Sequence, residues 1–220
     1  MPTHKALSTS VNADSPKGQK AIETFRAQYN KAGLDEESAQ HLNEHAGFAT
    51  YLAAGIRQFS QAGPVFPIYL ECEVGGKSQA ELLAEIEANA MFASDWAKDI
   101  MSKPAWKQGE QETVKFARVK VNDLGFTKNP TTSEIWARIK GLGHSLCEPA
   151  DGPALRLALK DQPKGDYFWT AMEQIAVSDG GPSVFDVRRY GDGRRWLYAD
   201  WTDSDDQWSL DSEIVFRLRK

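Results

Sequence analysis

Residues 183–201 read SVFDVRRYGDGRRWLYADW, in which two runs rich in β-branched and aromatic residues flank the turn Gly191-Asp192-Gly193. Such residues favour strands and the glycines favour a tight turn, so the pattern predicts a β-hairpin. Outside the hairpin, further strands are predicted near residues 113–121, 154–159, 166–177 and 213–219. Short strands joined by tight turns predict an antiparallel β-meander.

One clear helix is predicted within this block of strands. Thr131 and Glu134 match a capping box, and Ile135, Ile139 and Leu142 recur on one helical face. We expect this helix to bury its apolar face against the sheet. The sequence therefore predicts an α+β fold, with a helical N-terminal segment followed by an antiparallel β-meander packed on one or two helices.

The chain divides into regions of different pattern. Residues 1–14 are polar and predict a flexible tail. Residues 15–63 repeat apolar residues at helical spacing and predict a helical N-terminal region. Residues 64–112 join an alternating, strand-like stretch to a capping-box helix, and we interpret them as a strand-helix connecting region. Residues 113–220 form the predicted α+β antiparallel-sheet domain.

Composition and charge exclude several classes of protein. The 220 residues are 41% hydrophobic and 26% charged, which is typical of a globular protein. The formal net charge is −5, with the negative excess in the first half, and this argues against binding to duplex nucleic acid. No apolar run is long enough for a membrane span, and the first residues lack the apolar core of a secretory signal, so we expect a cytoplasmic protein. Cys72 and Cys147 are expected to be reduced.

A resemblance to a known family begins at residues 94–106, Ser-Asp-Trp-Ala-Lys-Asp-Ile-Met-Ser-Lys-Pro-Ala-Trp. This stretch resembles a motif that marks a widespread family of uncharacterised bacterial proteins. Further segments resemble the family in the same order: Leu124–Phe126, Glu134–Arg138, Leu146–Ala150, Gly152–Pro153, Leu155–Leu157, Asp161–Pro163, Ala171–Glu173, Val184–Phe185 and Val215–Lys220. The chain departs from the family pattern at Ala158-Leu159, where a polar and an aromatic residue are usual. The resemblance implies no activity, and the family's scattered occurrence implies an accessory protein associated with mobile elements.

No cofactor and no metal are predicted. His41 and His45 have the spacing of two ligands on one helical face, but no third ligand accompanies them. The acidic residues between Asp200 and Glu213 lack the glycine and glutamate positions of an EF-hand loop. The turn Gly75-Gly76-Lys77-Ser78 lacks the first glycine of a phosphate-binding loop, and we interpret it as an ordinary strand-to-helix turn.

A small enzyme is one alternative. Arg156, Asp161, Lys164 and Glu173 are the residues that we would place in a polar site of a hydrolase or transferase. No recognisable catalytic motif, such as a nucleophile elbow, supports this reading, so catalysis is the less favoured hypothesis.

Binding of single-stranded nucleic acid is a second alternative. Arg188, Arg189, Arg194 and Arg195 interleave with aromatic residues such as Trp196 around one turn, and arginine with aromatic rings can stack on unpaired bases. Aspartates in the same strands offset most of this charge, so cross-strand Arg–Asp pairs are expected instead.

We favour a non-enzymatic binding module whose partner is another protein. Tyr167, Trp169, Trp196 and Trp201 fall in predicted strands, and Tyr and Trp are the residues that most often anchor protein interfaces. An exposed aromatic patch would support partner binding, whereas a deep pocket with convergent arginine and carboxylates would support an enzyme.

Overall fold

The computed structural model describes residues 15–31, 40, 44, 47 and 65–219. The chain divides into two compact units, Met1–Gln61 and Ala62–Lys220. In the first unit, helix α1 spans Pro16–Lys31, and the hydroxyl of Ser15 accepts a hydrogen bond from the N–H of Gly18 at 3.0 Å. The predicted tail at residues 1–14, the histidines 41 and 45 and most of the predicted helical region lie outside the described residues.

The second unit contains helices and strands in alternation. Its helices are α2 (Gln79–Ala88), α3 (Asp95–Ser102), α4 (Thr132–Gly141) and α5 (Asp151–Ala158), with a 3-10 turn at Val121–Leu124. Its strands are β1 (Leu70–Val74), β2 (Phe92–Ala93), β3 (Glu112–Lys120), β4 (Tyr167–Thr170), β5 (Ile175–Ala176), β6 (Pro182–Arg189), β7 (Arg195–Trp201) and β8 (Glu213–Arg217). No helix among the described residues is long and apolar enough to cross a bilayer.

The eight strands form one sheet, and the α+β class is confirmed. The strand order is β1-β3-β8-β4-β6-β7-β2, with β5 paired to β6. Most neighbours are antiparallel, but β4 is parallel to β8 and β2 is parallel to β7. The prediction of a simple antiparallel meander is therefore wrong, since the sheet is mixed and curls towards a half-barrel. The last strand enters between β3 and β4, an arrangement that hairpin turns alone cannot produce.

Local sequence signals correctly place two helix starts. At α4, the N–H of Glu134 donates to the hydroxyl of Thr131 at 3.2 Å, and the N–H of Thr131 donates to the Glu134 carboxylate at 2.8 Å. Ser78 and Glu81 form the same capping box at α2. These reciprocal bonds satisfy donors that a helix start leaves free.

The predicted strand near residues 154–159 is wrong, because these residues belong mostly to helix α5. The run Ala-Leu-Arg-Leu-Ala-Leu at residues 154–159 is short, and a short run of this kind fits a strand or a helix equally well. Here the helix is favoured by close packing on the sheet. Gly152 lies so near β6 that a Cβ there would be 2.5 Å from the ring of Phe185. Likewise, the predicted strand 166–177 is divided into β4 and β5.

The core lies between the sheet and its helices. Fully buried residues on the α5 side of the sheet include Phe185, Val187 and Leu197. Ile135 and Ile139 of α4 are fully buried as predicted. Cys72 and Cys147 are both unpaired, as the sequence suggested.

Candidate binding surface

Aromatic and charged side chains form two rows across strands β4, β6, β7 and β2. Successive register partners make up the first row, which is Tyr167, Arg188, Trp196 and Phe92. The second row is Trp169, Asp186 and Tyr198. Register partners on neighbouring strands project from the same face of a sheet, so the two rows lie side by side. We call these seven residues the aromatic face.

The aromatic face is open at both ends of its first row. Tyr167 is 50% exposed and Phe92 is 42% exposed. Val187 and Leu197, which alternate with residues of the face along β6 and β7, are fully buried on the other side. The side of β6 and β7 opposite the aromatic face is therefore in the core, while Tyr167 and Phe92 are exposed at the two ends of the first row and Asp186 in the second row is buried. Between these two exposed rings, the row contains Arg188 and Trp196, which are half-buried.

Ring-to-ring contacts hold the aromatic face together. Phe92 stacks on Trp196 with ring centroids 4.8 Å apart, and Trp196 meets Tyr198 at 5.3 Å. Tyr167 and Trp169 are in an edge-to-face contact at 5.1 Å. Such contacts restrict the rings before any partner arrives, which lowers the entropy that binding would lose.

Arg188 lies at the centre of the aromatic face. Its guanidinium donates to both carboxylate oxygens of Asp186 and, at 2.7 Å, to Asp200. It also lies over the ring of Tyr198, 4.4 Å from the centroid. Asp186 is fully buried, and this burial, with the nearby charge of Asp200, raises the pKa of Asp186 to about 7 despite the opposing effect of Arg188. The positive charge of Arg188 is thus matched by carboxylates.

The other arginines of the hairpin do not join Arg188 in one basic surface. Arg189 and Arg195 are register partners on the opposite face of the sheet. Arg189 donates to the carbonyl of Gln162 at 2.7 Å, and Arg195 donates to the carbonyls of Asn89 at 3.0 Å and Lys160 at 3.2 Å. Arg194 pairs with the exposed Asp192 in the turn at 2.7 Å.

The structure places Arg156 inside the protein. Its side chain has no exposed surface, and it donates to the side chain of Gln162 and the carbonyl of Leu159, both at 2.6 Å, and to the carbonyl of Arg188 at 3.1 Å. Burial lowers the pKa of Arg156 to about 10. The residue fastens the end of α5 to β6 and offers no surface to a substrate.

The remaining members of the predicted polar site do not converge on Arg156. Glu173 is exposed and bonds to Lys140 of α4 at 2.7 Å. Asp161 and Lys164 are exposed in the loop before β4. The four residues thus do not assemble a site, because Arg156 is enclosed by protein while the other three are exposed.

A polar cluster that the sequence analysis missed surrounds Arg217 of β8. Arg217 donates to both oxygens of the buried Asp151 at 2.7 Å, to Glu112 at 2.7 Å and to Glu148 at 3.2 Å. The pKa of Asp151 is nevertheless raised, because burial outweighs the contact with Arg217. In the sequence, the signal for this cluster is the charged Arg217 directly after the apolar residues 214–216 of β8.

The Arg217 cluster borders a cavity of about 670 Å³, which Arg217, Glu112 and Glu148 help to line. Both oxygens of Asp151 are already bonded to Arg217. Burial raises the pKa of Cys72 to about 11 and that of Cys147 well above its ordinary value, so neither thiol is a ready nucleophile. Within residues 65–219, no group of histidine, cysteine and carboxylate side chains suits a metal ion. The cluster serves to tie α5 to β3 and β8.

Comparisons with protein-family models, with curated proteins and with solved structures find no match for the chain. The resemblance of residues 94–106 to a bacterial family therefore stays a prediction.

Proposed function

We propose that the chain is a non-enzymatic binding module that docks a protein partner on the aromatic face. The observation that carries this proposal is the exposure of Tyr167 and Phe92 at the two ends of a row whose strands bury their other face in the core. An accessory role, as the family resemblance implies, is compatible with a module of this kind.

The size of the aromatic face fits the centre of a protein interface. Four strands at the usual spacing of about 4.8 Å give the first row a length of about 14 Å, and the second row lies about 7 Å away along the strands. The two rows thus span on the order of 100 Å², much less than the roughly 800 Å² that each partner buries in a standard interface. We expect the aromatic rings to form the apolar centre and surrounding polar residues to form the rim.

The charges on the aromatic face favour a protein over a nucleic acid. Arg188 is bonded to two carboxylates, and the neighbouring arginines of β6 and β7 lie on the opposite face. A strand of nucleic acid would bring phosphates towards Asp186 and Asp200 without an unpaired cation to receive them. Tyr, Trp and a paired arginine are instead the residues that dominate protein-binding energies.

Site-specific photocrosslinking in the native host tests the proposal. The photoreactive amino acid p-benzoylphenylalanine replaces Tyr167, Phe92 or, as a control, Ile68, which is also exposed but lies outside the aromatic face. We expect one discrete adduct from positions 167 and 92 and none from position 68. The purified partner should then lose about tenfold or more in affinity on Tyr167→Ser, while Ile68→Ser should leave it unchanged.

Two outcomes would contradict the proposal. The first is that the same adduct forms from position 68. The second is that the captured protein binds the Tyr167→Ser variant as tightly as it binds the unaltered chain.

A further inference from the structure

Strand β1 lies at one end of the sheet and has an edge that no other described strand covers. Among the described strands, its only partner is β3, and the two are antiparallel. An uncovered edge presents a row of backbone N–H and C=O groups to which another extended chain can bind. We call the outward side of β1, at Glu71 and Glu73, the β1 edge.

The register shows which backbone groups of β1 point outwards. On β3, the C=O of Lys115 accepts a hydrogen bond from the N–H of the residue after β8 at 2.8 Å, so the backbone of Lys115 faces β8. The C=O of Phe116 accepts a hydrogen bond from the N–H of Tyr69 at 2.8 Å and therefore faces β1. Backbone direction alternates along a strand, and Glu71 is the register partner of Lys115. The N–H and C=O of Glu71 thus point away from β3, and those of Glu73 do the same two residues later.

These outward groups have no backbone partner among residues 65–219. None of the hydrogen bonds made by turns, loops and helix ends there involves the N–H or C=O of Glu71 or Glu73. Both residues are exposed, whereas the side chain of Val74 is buried. The β1 edge therefore offers two N–H donors and two C=O acceptors in line, which is the arrangement that the backbone of an added strand requires.

The side chains at the β1 edge are acidic and form no ion pair with the described residues. Glu71 has no hydrogen-bond partner there, and Glu73 accepts one bond, from the side-chain amide of Gln111 at 3.0 Å. Lys115 is opposite Glu71 on β3 but forms no ion pair with it. An added strand would lie on the other side of Glu71, where its side chains would meet the two carboxylates at the spacing of cross-strand neighbours.

A second copy of β1 is a poor occupant of this edge. Antiparallel pairing of two β1 edges would place Glu71 of one copy opposite Glu73 of the other, and like charges directly opposite each other destabilise a sheet. Charged residues on edge strands commonly prevent such self-association. A strand with basic residues meets the opposite situation, since each carboxylate then lies beside a cation.

We propose that the β1 edge binds an extended segment of another protein that carries two lysines or arginines separated by one apolar residue. The segment adds an antiparallel strand to the sheet, and its backbone exchanges hydrogen bonds with Glu71 and Glu73. Its basic side chains lie beside the two carboxylates, and the apolar residue lies beside the half-buried Cys72. Strands β3 and β8 separate β1 from the strands of the aromatic face, so this inference does not depend on the proposed function.

Hydrogen exchange of the full chain, followed by NMR, tests the inference residue by residue. The probe is the acetylated and amidated peptide Thr-Val-Lys-Val-Lys-Val-Thr, and a matched peptide has glutamate in place of both lysines. Without peptide, the amide protons of Glu71 and Glu73 should exchange quickly and that of Cys72, which faces β3, should exchange slowly. The lysine peptide should slow the exchange at Glu71 and Glu73, and it should bind about tenfold more tightly than the glutamate peptide.

Charge reversal separates the proposed pairing from non-specific attraction. The double variant Glu71→Lys with Glu73→Lys should bind the glutamate peptide more tightly than the lysine peptide. The control variant combines Glu87→Lys with Asp205→Lys, which change the net charge equally at exposed positions outside β1. It should keep the preference for the lysine peptide. Circular dichroism checks that both variants are folded.

Three results would overturn the inference. The first is slow exchange at Glu71 and Glu73 before any peptide is added, because the edge would then already be paired. The second is that the lysine peptide leaves the exchange of these two amides unchanged. The third is that the charge-reversed variant still prefers the lysine peptide. The crosslinking test of the aromatic face is decided separately, since it uses positions on other strands.

Discussion

Replacing Asp186 by asparagine should change how the stability of the protein depends on pH. Asp186 is the fully buried member of the aromatic face, and its pKa is raised from 3.8 to about 7. The folded chain therefore holds the proton more tightly than the unfolded chain does, and protonation of Asp186 stabilises the fold. This contribution is complete below about pH 4 and is lost as the pH rises through about 7.

The size of the effect follows from the two pKa values. A difference of one pKa unit corresponds to about 1.4 kcal/mol, so the full contribution is on the order of 4 kcal/mol. Most of it, about 3 kcal/mol, should disappear between pH 5 and pH 8. Asparagine cannot titrate, and it retains an oxygen that accepts a bond from Arg188. The free energy of unfolding of the Asp186→Asn variant should therefore lack this decrease.

Urea unfolding from pH 5 to pH 8 measures the difference between the unaltered chain and the variant. Asp192→Asn in the exposed turn is the matched control, and its profile should closely follow that of the unaltered chain. Carbon-13 NMR titration of the Asp186 carboxyl gives an independent value. The reasoning would be refuted by an NMR titration midpoint of Asp186 near pH 4. It would also be refuted if the free energies of unfolding of the two chains differed by the same amount at every pH.

Four further outcomes are expected from packing and burial. Gly152→Ala should lower the free energy of unfolding by about 1–3 kcal/mol, because its Cβ would lie 2.5 Å from a ring of β6. Gly141→Ala in α4, where no atom lies within 4 Å, should raise the same quantity by about 0.5–1 kcal/mol in urea unfolding. Arg217→Met should lower the free energy of unfolding by about 3–5 kcal/mol, because the buried Asp151 loses its ion-pair partner. Adding Asp151→Asn should restore part of this loss, whereas additive losses from the two substitutions would contradict the reasoning. Burial raises the pKa of Cys72 to about 11, so this thiol should react slowly with iodoacetamide at pH 8 in the folded protein and readily in urea. Mass spectrometry measures the labelling, and fast labelling of Cys72 in the folded protein would contradict the prediction.

The sequence by itself determined the features that depend on neighbours a few residues apart. Thr131 and Glu134 marked the start of α4 because a capping box joins residues three positions apart. The turn Gly191-Asp192-Gly193 marked the hairpin of β6 and β7, since a turn of this length forces the flanking strands together. The presence of aromatic residues on these strands was also readable from the sequence.

Only the tertiary structure decided how distant segments meet. Residues 154–158 became helical, and β8 entered between β3 and β4, because packing against the whole sheet outweighs a short local pattern. The same packing enclosed Arg156 among carbonyl groups and left Tyr167 and Phe92 exposed. The first row of the aromatic face combines side chains from β4, β6, β7 and β2, so no spacing along the chain could have indicated it. Periodic patterns report contacts within one helix or strand, whereas sites of this kind depend on pairings between strands that are far apart in sequence.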